Sequence, residues 1–314
     1  MTTGKTFAYY PGCSGSGTSV EYDKSSRAVC EALGIRLVDL PDWNCCGSTP
    51  AHQVDHVLSA ALSARNLAQA ETLGLCETLT PCPSCLKNLH NAVEHLREPG
   101  FGARVNALVE RPLTREHSVK SVLQIIYEDV TPEKVAEKVT RTLNGLKLVP
   151  YYGCLMNRPG RSMHFDDEEN PQALDKLMRA LGAEVLPFPL KQECCGGAMG
   201  VPDNRITSRL SGRLLEYAVS LGADAFVVAC PLCQMNLDMR QAQAGDYYGR
   251  GFNLPVFYYT QLMGIALGLD KTRLGLDKLI VKPAAALAKI GRKAKEEAPA
   301  ASGAGRTAEA EVEA

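Results

Sequence analysis

The sequence predicts an α/β protein made of two similar halves, each a small parallel sheet flanked by helices. Short apolar runs alternate with amphipathic stretches that end at glycine, a pattern typical of parallel sheets with crossover helices. One array of five cysteines occurs twice along the chain. The cysteines follow predicted strands, and parallel sheets bind their ligands at the carboxyl ends of the strands. We therefore expect one ligand site at one sheet edge in each half.

The two arrays contain ten of the twelve cysteines and share one order: a single Cys, a Cys-Cys-Gly and a Cys-Pro-x-Cys. The single Cys precedes the first Cys of the pair by 32 residues in the first half and by 40 in the second. The second Cys of the pair precedes the Cys-Pro-x-Cys motif by 36 residues in the first half and by 35 in the second. The first array is Cys13, Cys45, Cys46, Cys82 and Cys85, and the second is Cys154, Cys194, Cys195, Cys230 and Cys233. Two such sets of thiols indicate two metal clusters and redox chemistry.

Each predicted element of the first half has a counterpart in the second. In both halves we expect strand, helix, strand, helix and strand, in this order. The predicted ranges are 6–10, 21–33, 35–40, 52–73 and 77–80 in the first half, and 146–152, 172–181, 184–188, 205–221 and 225–229 in the second. Glycine follows each of the four helices, as is common where a helix ends. Another helix is expected at each Cys-Pro-x-Cys, and Asn-Leu follows both motifs at the same offset, at Asn88 and Asn236.

The repeat also predicts the domain boundaries. Residues 1–145 form an N-terminal domain, of which about 97–145 is a connector with helices around 118–129 and 132–143. Residues 146–282 form the C-terminal domain. Residues 283–314 are a tail rich in Ala, Lys and Glu. Its last ~20 residues contain too little apolar surface to offset the entropy of folding, so we expect the tail to be largely disordered.

Composition excludes several functional classes. The chain has 314 residues, a formal net charge of −1 and a single Trp, which disfavours binding to nucleic acid. No stretch approaches the ~18 apolar residues of a membrane span, so we expect no direct membrane insertion. The N-terminus does not resemble a signal peptide, and a cytoplasmic protein is expected. In a reducing compartment, cysteine-rich spacing indicates metal binding or redox chemistry.

The number of thiols favours iron and sulfur over zinc. A structural zinc site takes four ligands, and an ordinary iron–sulfur cluster also takes four cysteines. Five thiols per half fit a cluster that is not a simple cubane. Adjacent cysteines diverge in direction and can serve different iron atoms, while Gly47 and Gly196 are expected to let the backbone approach the metal. A buried cysteine core with one zinc is the less favoured alternative.

Other polar features give weaker signals. Cys30 and Cys76 align in the repeat with Met178 and Asp224, so we interpret both as structural. The glycine-rich residues 12–17 lack the context of a phosphate-binding loop. His52 and His56 are spaced i, i+4 without a zinc-protease signature. We interpret them as solvated or capping residues, with proton delivery near the first cysteine pair as the less favoured alternative.

The double array resembles the CCG domain family, and its surroundings resemble the catalytic B-type component of heterodisulfide reductase over residues 6–270. The segments that support the second resemblance are Tyr10-Pro-Gly-Cys13, Glu21-Tyr-Asp23 and Asp42-Trp-Asn-Cys-Cys-Gly47. The resemblance implies that each array holds one [4Fe–4S] cluster of the noncubane type through its five cysteines. It also implies a catalytic subunit that reduces a disulfide to two thiols at the two clusters, with no separate catalytic side chain assigned.

The resemblance also implies partner subunits that supply electrons. Two alternative functions remain open. Electrons are expected from a ferredoxin-like C subunit with [4Fe–4S] clusters, which is fed by a flavin-containing A subunit. The chain itself has no flavin or nicotinamide signature, and the disulfide could be a small molecule or a protein. CCG domains also resemble parts of lactate-, glycerol-phosphate- and quinone-linked oxidoreductases, so an electron-transfer subunit is one alternative. A metal-stabilised scaffold without turnover is the other.

Overall fold

The computed structural model describes residues 4–291, and within them the predicted fold class is confirmed. Two parallel four-stranded sheets have the orders β2-β1-β3-β4 and β6-β5-β7-β8. The strands are β1 (Thr6–Tyr9), β2 (Arg36–Asp39), β3 (Glu77–Thr80), β4 (Ser118–Ser121), β5 (Lys147–Tyr151), β6 (Glu184–Val185), β7 (Ala225–Val228) and β8 (Val256–Tyr258). The two sheets therefore repeat one topology, with the first strand of each half in the interior.

Helices connect the strands of both sheets. The α-helices are α1 (Gly12–Ser16), α2 (Val20–Ala32), α3 (Ser48–Val54), α4 (His56–Thr72), α5 (Pro83–Leu96), α6 (Pro99–Asn106), α7 (Val122–Ile125), α8 (Pro132–Glu137), α9 (Gly160–Met163), α10 (Ala173–Ala180), α11 (Asn204–Ser220), α12 (Pro231–Met239), α13 (Gln241–Tyr248), α14 (Tyr259–Ala266) and α15 (Ala284–Leu287). A π-helix covers Ile126–Val130, and 3₁₀ turns cover Gly197–Met199, Lys271–Arg273 and Leu276–Lys278.

The strand ends are aligned within each sheet. In the first sheet, Tyr9 at the end of β1 lies opposite Asp39 and Leu79. In the second, Tyr151 lies opposite Val228, and Val228 opposite Tyr258. Because the strands are parallel, the segments that carry the cysteines all leave the sheet at the same edge.

The structure departs from the predicted elements in several places. The strand expected over 184–188 is only Glu184–Val185, and the helix expected over 132–143 ends at Glu137. The range expected to form a helix from residue 118 begins with β4, which pairs with β3 from Ser118 to Ser121. Its polar sequence, Ser-Val-Lys-Ser, gives no apolar run. The single helix predicted over 52–73 is two helices, because Asp55 is extended and its side chain caps the Leu58 N–H of α4 at 2.8 Å. The short strand β8 was not predicted at all.

One apolar core extends through both halves, and its largest buried side chains are aromatic. Helix α2 of the first half packs against α14 of the second, where the Ser25 and Thr260 hydroxyls lie 2.7 Å apart. No helix within residues 4–291 has both the length and the apolarity needed to cross a bilayer. The last ~20 residues, for which disorder was predicted, lie outside the described residues.

Candidate metal centres

The local fold explains how each cysteine reaches the sheet edge. Cys13 lies in α1, directly after β1, and the Cys45–Cys46 pair lies between β2 and α3. Cys82 is the N-cap residue of α5, with Pro83 in the first turn, and Cys230 caps α12 in the same way. Proline suits the first turn of a helix, because its missing N–H needs no partner there. The positive end of each helix dipole therefore lies beside two thiols, where it favours thiolates.

The thiols of each array lie together in the structure. Cys46 Sγ is 3.5 Å from Cys85 Sγ, and the equivalent Cys195 Sγ is 3.6 Å from Cys233 Sγ. In both halves three cysteines are buried and two are exposed. The buried ones are Cys46, Cys82, Cys85, Cys195, Cys230 and Cys233; the exposed ones are Cys13, Cys45, Cys154 and Cys194. Each site thus has a buried side and a solvent-facing side.

Contacts between the thiols shift their acidities. Hydrogen bonding from Cys85, aided by the Ser48 N–H and Asn88, lowers the pKa of Cys46 to about 7 despite burial. Hydrogen bonding with Cys46 and Cys82, together with burial, raises the pKa of Cys85 well above its usual value. In the second half, Cys154 lowers the pKa of Cys194 to about 6. Each site therefore contains at least one thiol prepared to ionise and bind metal near neutral pH.

Two glycines make room for the buried thiols. Gly12 has a φ of +67°, and a Cβ there would lie 3.0 Å from Cys85 Sγ. Gly153 has a φ of +73°, and its Cβ would lie 2.8 Å from Cys233 Sγ. Gly12 and Gly153 therefore leave space next to the buried sulfur atoms.

Gly47 and Gly196, which are expected to let the backbone approach the metal, also allow close packing within the protein. A Cβ at Gly47 would lie 2.5 Å from the Ala51 Cβ, and one at Gly196 would lie 2.9 Å from the Thr207 Cα. Both glycines have positive φ and allow the chain after the cysteine pair to pack closely on the following helix.

A shell of hydrogen bonds holds the cysteine pairs. Asn88 Nδ2 donates to the carbonyls of Cys46 and Ser48 at 3.1 and 3.0 Å and lies 3.6 Å from Cys46 Sγ. Asn236 Nδ2 lies 3.3 Å from the carbonyl oxygen of Cys195 and 3.7 Å from its Sγ. The common Asn-Leu offset in the two halves was the sequence signal for these residues, but their role was not predicted.

The remaining cysteines lie elsewhere. Cys30 is fully buried in α2, where burial raises its pKa to about 12. Cys76 is half-buried, and the Arg115 guanidinium lies 3.5 Å from its Sγ. Within residues 4–291, no hydrogen bond joins either sulfur to a cysteine of the two arrays.

A polar cavity of about 380 Å³ lies next to the first site. It is lined by His52 and His56 together with Lys87, by Ser48 and Ser84 near Cys46, and by Leu155 from the second half. The hydroxyls of Ser48 and Ser84 lie 3.0 Å apart. The structure thus places both histidines on a cavity close to the first array.

The donor set of each site is made of thiols alone, which are soft ligands that suit iron–sulfur clusters. The short sulfur–sulfur contacts and the space left by Gly12 and Gly153 fit a group held by several cysteines. Within residues 4–291, no group of three or more His, Cys, Asp or Glu side chains is arranged to hold a single metal ion.

Comparisons with known proteins agree with the duplication. The family model of the cysteine-rich domain, CCG, matches residues 7–90 and again residues 148–238. The 8-methylmenaquinol:fumarate reductase membrane anchor subunit of Wolinella succinogenes is 33% identical, covering 88% of this chain and 97% of the relative. The B-type component of the ferredoxin/F420H2-dependent CoB-CoM heterodisulfide reductase of Methanosarcina acetivorans is 29% identical, covering 85% and 91%.

A solved structure shares the fold. The crystal structure of a hypothetical protein from Helicobacter pylori superposes with a TM-score of 0.72 at 18% identity. The match covers 88% of this chain and 52% of that structure. At this identity, the likeness describes the fold alone.

Proposed function

Because this chain belongs to the CCG family of cysteine-rich domains, we propose that it is the catalytic iron–sulfur subunit of a heterodisulfide reductase-type complex. In this proposal each array holds one noncubane [4Fe–4S] cluster through its five cysteines, and a disulfide is reduced to two thiols. The observation that carries the proposal is the arrangement of each site, with three buried thiols on one side and two exposed thiols on the other. A buried side suits a stable metal group, and an open side suits access by a substrate.

Reduction of a disulfide consumes two electrons and two protons. When bound, the clusters supply electrons one at a time and an iron site with affinity for sulfur. The chain supplies the rest. Cys46 and Cys194 provide thiolates near neutral pH, because neighbouring groups lower their pKa values. Gly12 and Gly153 keep the space beside the buried sulfurs free.

The proposed complex has further subunits. A ferredoxin-like C subunit passes electrons singly to one site, and a flavin-containing A subunit supplies that partner. The name of the Methanosarcina relative, which includes ferredoxin, supports this kind of donor. We place the complex in the cytoplasm, with a small-molecule or protein disulfide as substrate.

The Wolinella relative favours a second candidate function. Its name describes a subunit of a methylmenaquinol:fumarate reductase. The match between the two proteins covers 88% of the length of the present chain. In this alternative the two sites pass electrons between a quinol-linked partner and another subunit, and the chain cleaves no disulfide.

One experiment separates the two candidates. The full chain is purified without oxygen, and about four iron and four sulfide per half are expected. The reduced protein is then mixed with a panel of disulfides and, separately, with a water-soluble quinone, while cluster spectra and free thiols are followed. Spectral change at both clusters with thiol release, sustained when a reduced ferredoxin-type partner is added, supports the disulfide reductase. Steady reduction of the quinone, with no response to any disulfide, supports the electron-transfer subunit.

Matched variants test the role of the sites. Cys45→Ser and Cys194→Ser each remove one exposed thiol from one half. If both sites act on one disulfide, either variant stops thiol release while the other half keeps its iron. Zinc as the main metal, or full thiol release by both variants, would overturn the proposal.

A further inference from the structure

The motif Glu21-Tyr22-Asp23 lies in the first turn of α2, and the proposed function gives it no role. Helix α2 follows the segment that carries Cys13 and belongs to the first half. Its buried face, however, packs against α14 of the second half. The three side chains of the motif have separate partners, which lie in both halves.

Asp23 attaches the helix to its own half. Tyr9 Oη donates a hydrogen bond of 2.8 Å to one carboxylate oxygen of Asp23, and Arg27 Nε donates one of 2.8 Å to the other. The Arg27 guanidinium also lies over the Tyr9 ring, 4.4 Å from its centroid. Tyr9 is the last residue of β1, the strand that leads to Cys13. The start of α2 is thereby held against the end of β1, four residues before Cys13.

Tyr22 reaches the opposite half. Its side chain is 1% exposed, and its hydroxyl donates a 3.1 Å hydrogen bond to the carbonyl oxygen of Ala229. Ala229 directly precedes Cys230 of the second array. The ring of Tyr22 stacks on Tyr258, with centroids 4.0 Å apart and planes inclined by 4°. Tyr258 ends β8, the strand that pairs with β7 before Cys230. Tyr22 therefore contacts the residue before Cys230 through its hydroxyl and the end of β8 through its ring.

Glu21 contributes a third contact between the halves. A Cβ at Gly275, which has a φ of +62°, would lie 2.5 Å from the Glu21 Cβ. The backbone of the second half thus rests directly on the first turn of α2. Close packing of this kind transmits displacement, because protein interiors have little free volume.

The Tyr22 hydroxyl keeps its proton, and therefore its hydrogen bond to the Ala229 carbonyl, over the physiological pH range. Burial raises its pKa well above 10, and Tyr259, Tyr258 and Cys230 nearby raise it further. The phenol therefore stays neutral and remains a donor at all physiological pH values. A buried hydrogen bond to a carbonyl is costly to lose, because the acceptor is left without water.

We propose that Glu21-Tyr22-Asp23 links the two cysteine sites, with Tyr22 as the positioning residue for the Cys230–Cys233 ligand loop of the opposite half. The inference rests on the proposed function in one respect: it assumes that both arrays hold clusters that work together. The link keeps the distance and the relative orientation of the two sites constant. A substrate bound between them, or an electron transferred from one to the other, then spans a constant distance.

The first test uses the metal-free full chain and does not depend on activity. Tyr22→Phe removes the hydroxyl and keeps the ring, and Tyr22→Leu removes both. Tyr10→Phe is the matched control, because Tyr10 is equally buried and its hydroxyl also donates to a backbone carbonyl, that of Asn44 in the first half, but does not contact Ala229. Each cysteine is alkylated and quantified by mass spectrometry. We expect labelling of Cys230 and Cys233 to rise about threefold to tenfold in Tyr22→Phe, as the loss of one hydrogen bond allows.

The labelling of Cys82 and Cys85 discriminates between the outcomes. These two cysteines are as buried as their counterparts in the second half. Unchanged labelling at Cys82 and Cys85 in Tyr22→Phe, together with no effect of Tyr10→Phe on Cys230 and Cys233, supports the proposal. An equal rise at all four cysteines indicates general loosening and overturns it, as does no rise at any.

The second test uses the protein with its clusters restored. We expect Tyr22→Leu to keep its iron, to shift the midpoint potential of one cluster only and to weaken the magnetic interaction between the clusters in electron paramagnetic resonance spectra. Shifts of equal size in both clusters, or unchanged spectra, contradict the link. If the labelling result holds but disulfides are not reduced, the proposed function fails and the link stands.

Discussion

Tyr10 and Tyr151 occupy equivalent positions in the two halves, and each hydroxyl donates to the carbonyl of the residue before a cysteine pair. Tyr10 Oη bonds to the Asn44 carbonyl at 2.8 Å, and Tyr151 Oη bonds to the Glu193 carbonyl at 2.6 Å. Burial raises the pKa of both phenols, and four thiols of the same array raise it further. The two sites are thus repeated in their hydrogen bonding as well as in their cysteine spacing.

We predict that Gly12→Ala removes the metal group from the first half. The added methyl group would lie 3.0 Å from Cys85 Sγ, closer than a carbon and a sulfur normally approach. Gly153→Ala should do the same to the second half, where the distance is 2.8 Å. Iron and sulfide analysis of each variant should give about half of the wild-type content.

Gly74→Ala is the control for this prediction. Gly74 has a φ of +73°, close to that of Gly12, but a Cβ there meets nothing within 4 Å. Both substitutions carry the same backbone cost of about 1–2 kcal/mol for a left-handed residue. Equal iron loss in Gly12→Ala and Gly74→Ala would show that backbone strain, and not the approach to sulfur, is responsible.

The cysteines outside the arrays should be dispensable for metal binding. We expect Cys30→Ser and Cys76→Ser to keep the full iron content, because neither sulfur is hydrogen-bonded to an array cysteine in the described part of the chain. Cys45→Ser and Cys194→Ser should lower it. Iron content, measured after identical anaerobic purification, checks the prediction, and an equal loss in all four variants would refute the assignment of ligands.

Asn88 should matter more for stability than its counterpart Asn236. Asn88→Leu removes hydrogen bonds to the carbonyls of Cys46 and Ser48, and leaves the Cys46 carbonyl with the longer, 3.4 Å hydrogen bond from the Ser63 hydroxyl, at a cost of about 1–3 kcal/mol. Asn236 donates to one carbonyl, that of Cys195, over a longer distance. Thermal unfolding of the metal-free variants should therefore show the larger decrease for Asn88→Leu. A larger decrease for Asn236→Leu would contradict this ranking.

The exposed thiols of the second site should differ in reactivity in the metal-free protein. Hydrogen bonding from Cys154 lowers the pKa of Cys194 to about 6, and the same contact raises the pKa of Cys154. At pH 7 Cys194 is therefore mainly thiolate, and Cys154 is a thiol. Iodoacetamide should modify Cys194 more than about tenfold faster than Cys154.

The pH dependence follows from the same shift. The rate at Cys194 should stay constant above pH 7 and fall as the pH is lowered through about 6. An ordinary thiol loses reactivity already below about pH 8.5. Peptide mapping between pH 5 and 9 measures both profiles, and a midpoint near 8.5 at Cys194 would contradict the shift.

Sequence periodicity predicted the parts of the fold that carry strong local signals. The strands that precede cysteines are apolar runs. Helix α2 is followed by Gly34, which has the positive φ that glycine adopts easily after a helix. Strand β4 could not be predicted in this way, because Ser118–Ser121 is polar and becomes a strand only by pairing with β3. Tertiary pairing overrides weak local preference in such segments.

The sequence predicted which cysteines form each candidate site, but not which other residues surround and position them. Cysteine spacing showed which thiols form each array, because one spacing occurs twice. The roles of Gly12 and Tyr22 depend on contacts with Cys85 and Ala229, which lie far away in the sequence. Such contacts become visible only when both chain segments are placed in space.

The position of β4 limits how the molecule can be divided. This strand lies after the last cysteine of the first array, yet it covers the edge of β3, the strand that leads to Cys82. A fragment that ended before Ser118 would keep all five thiols of the first array and still expose an unpaired strand, which is prone to aggregate. Fragments designed to contain only the first cysteine array should therefore extend beyond Ser121.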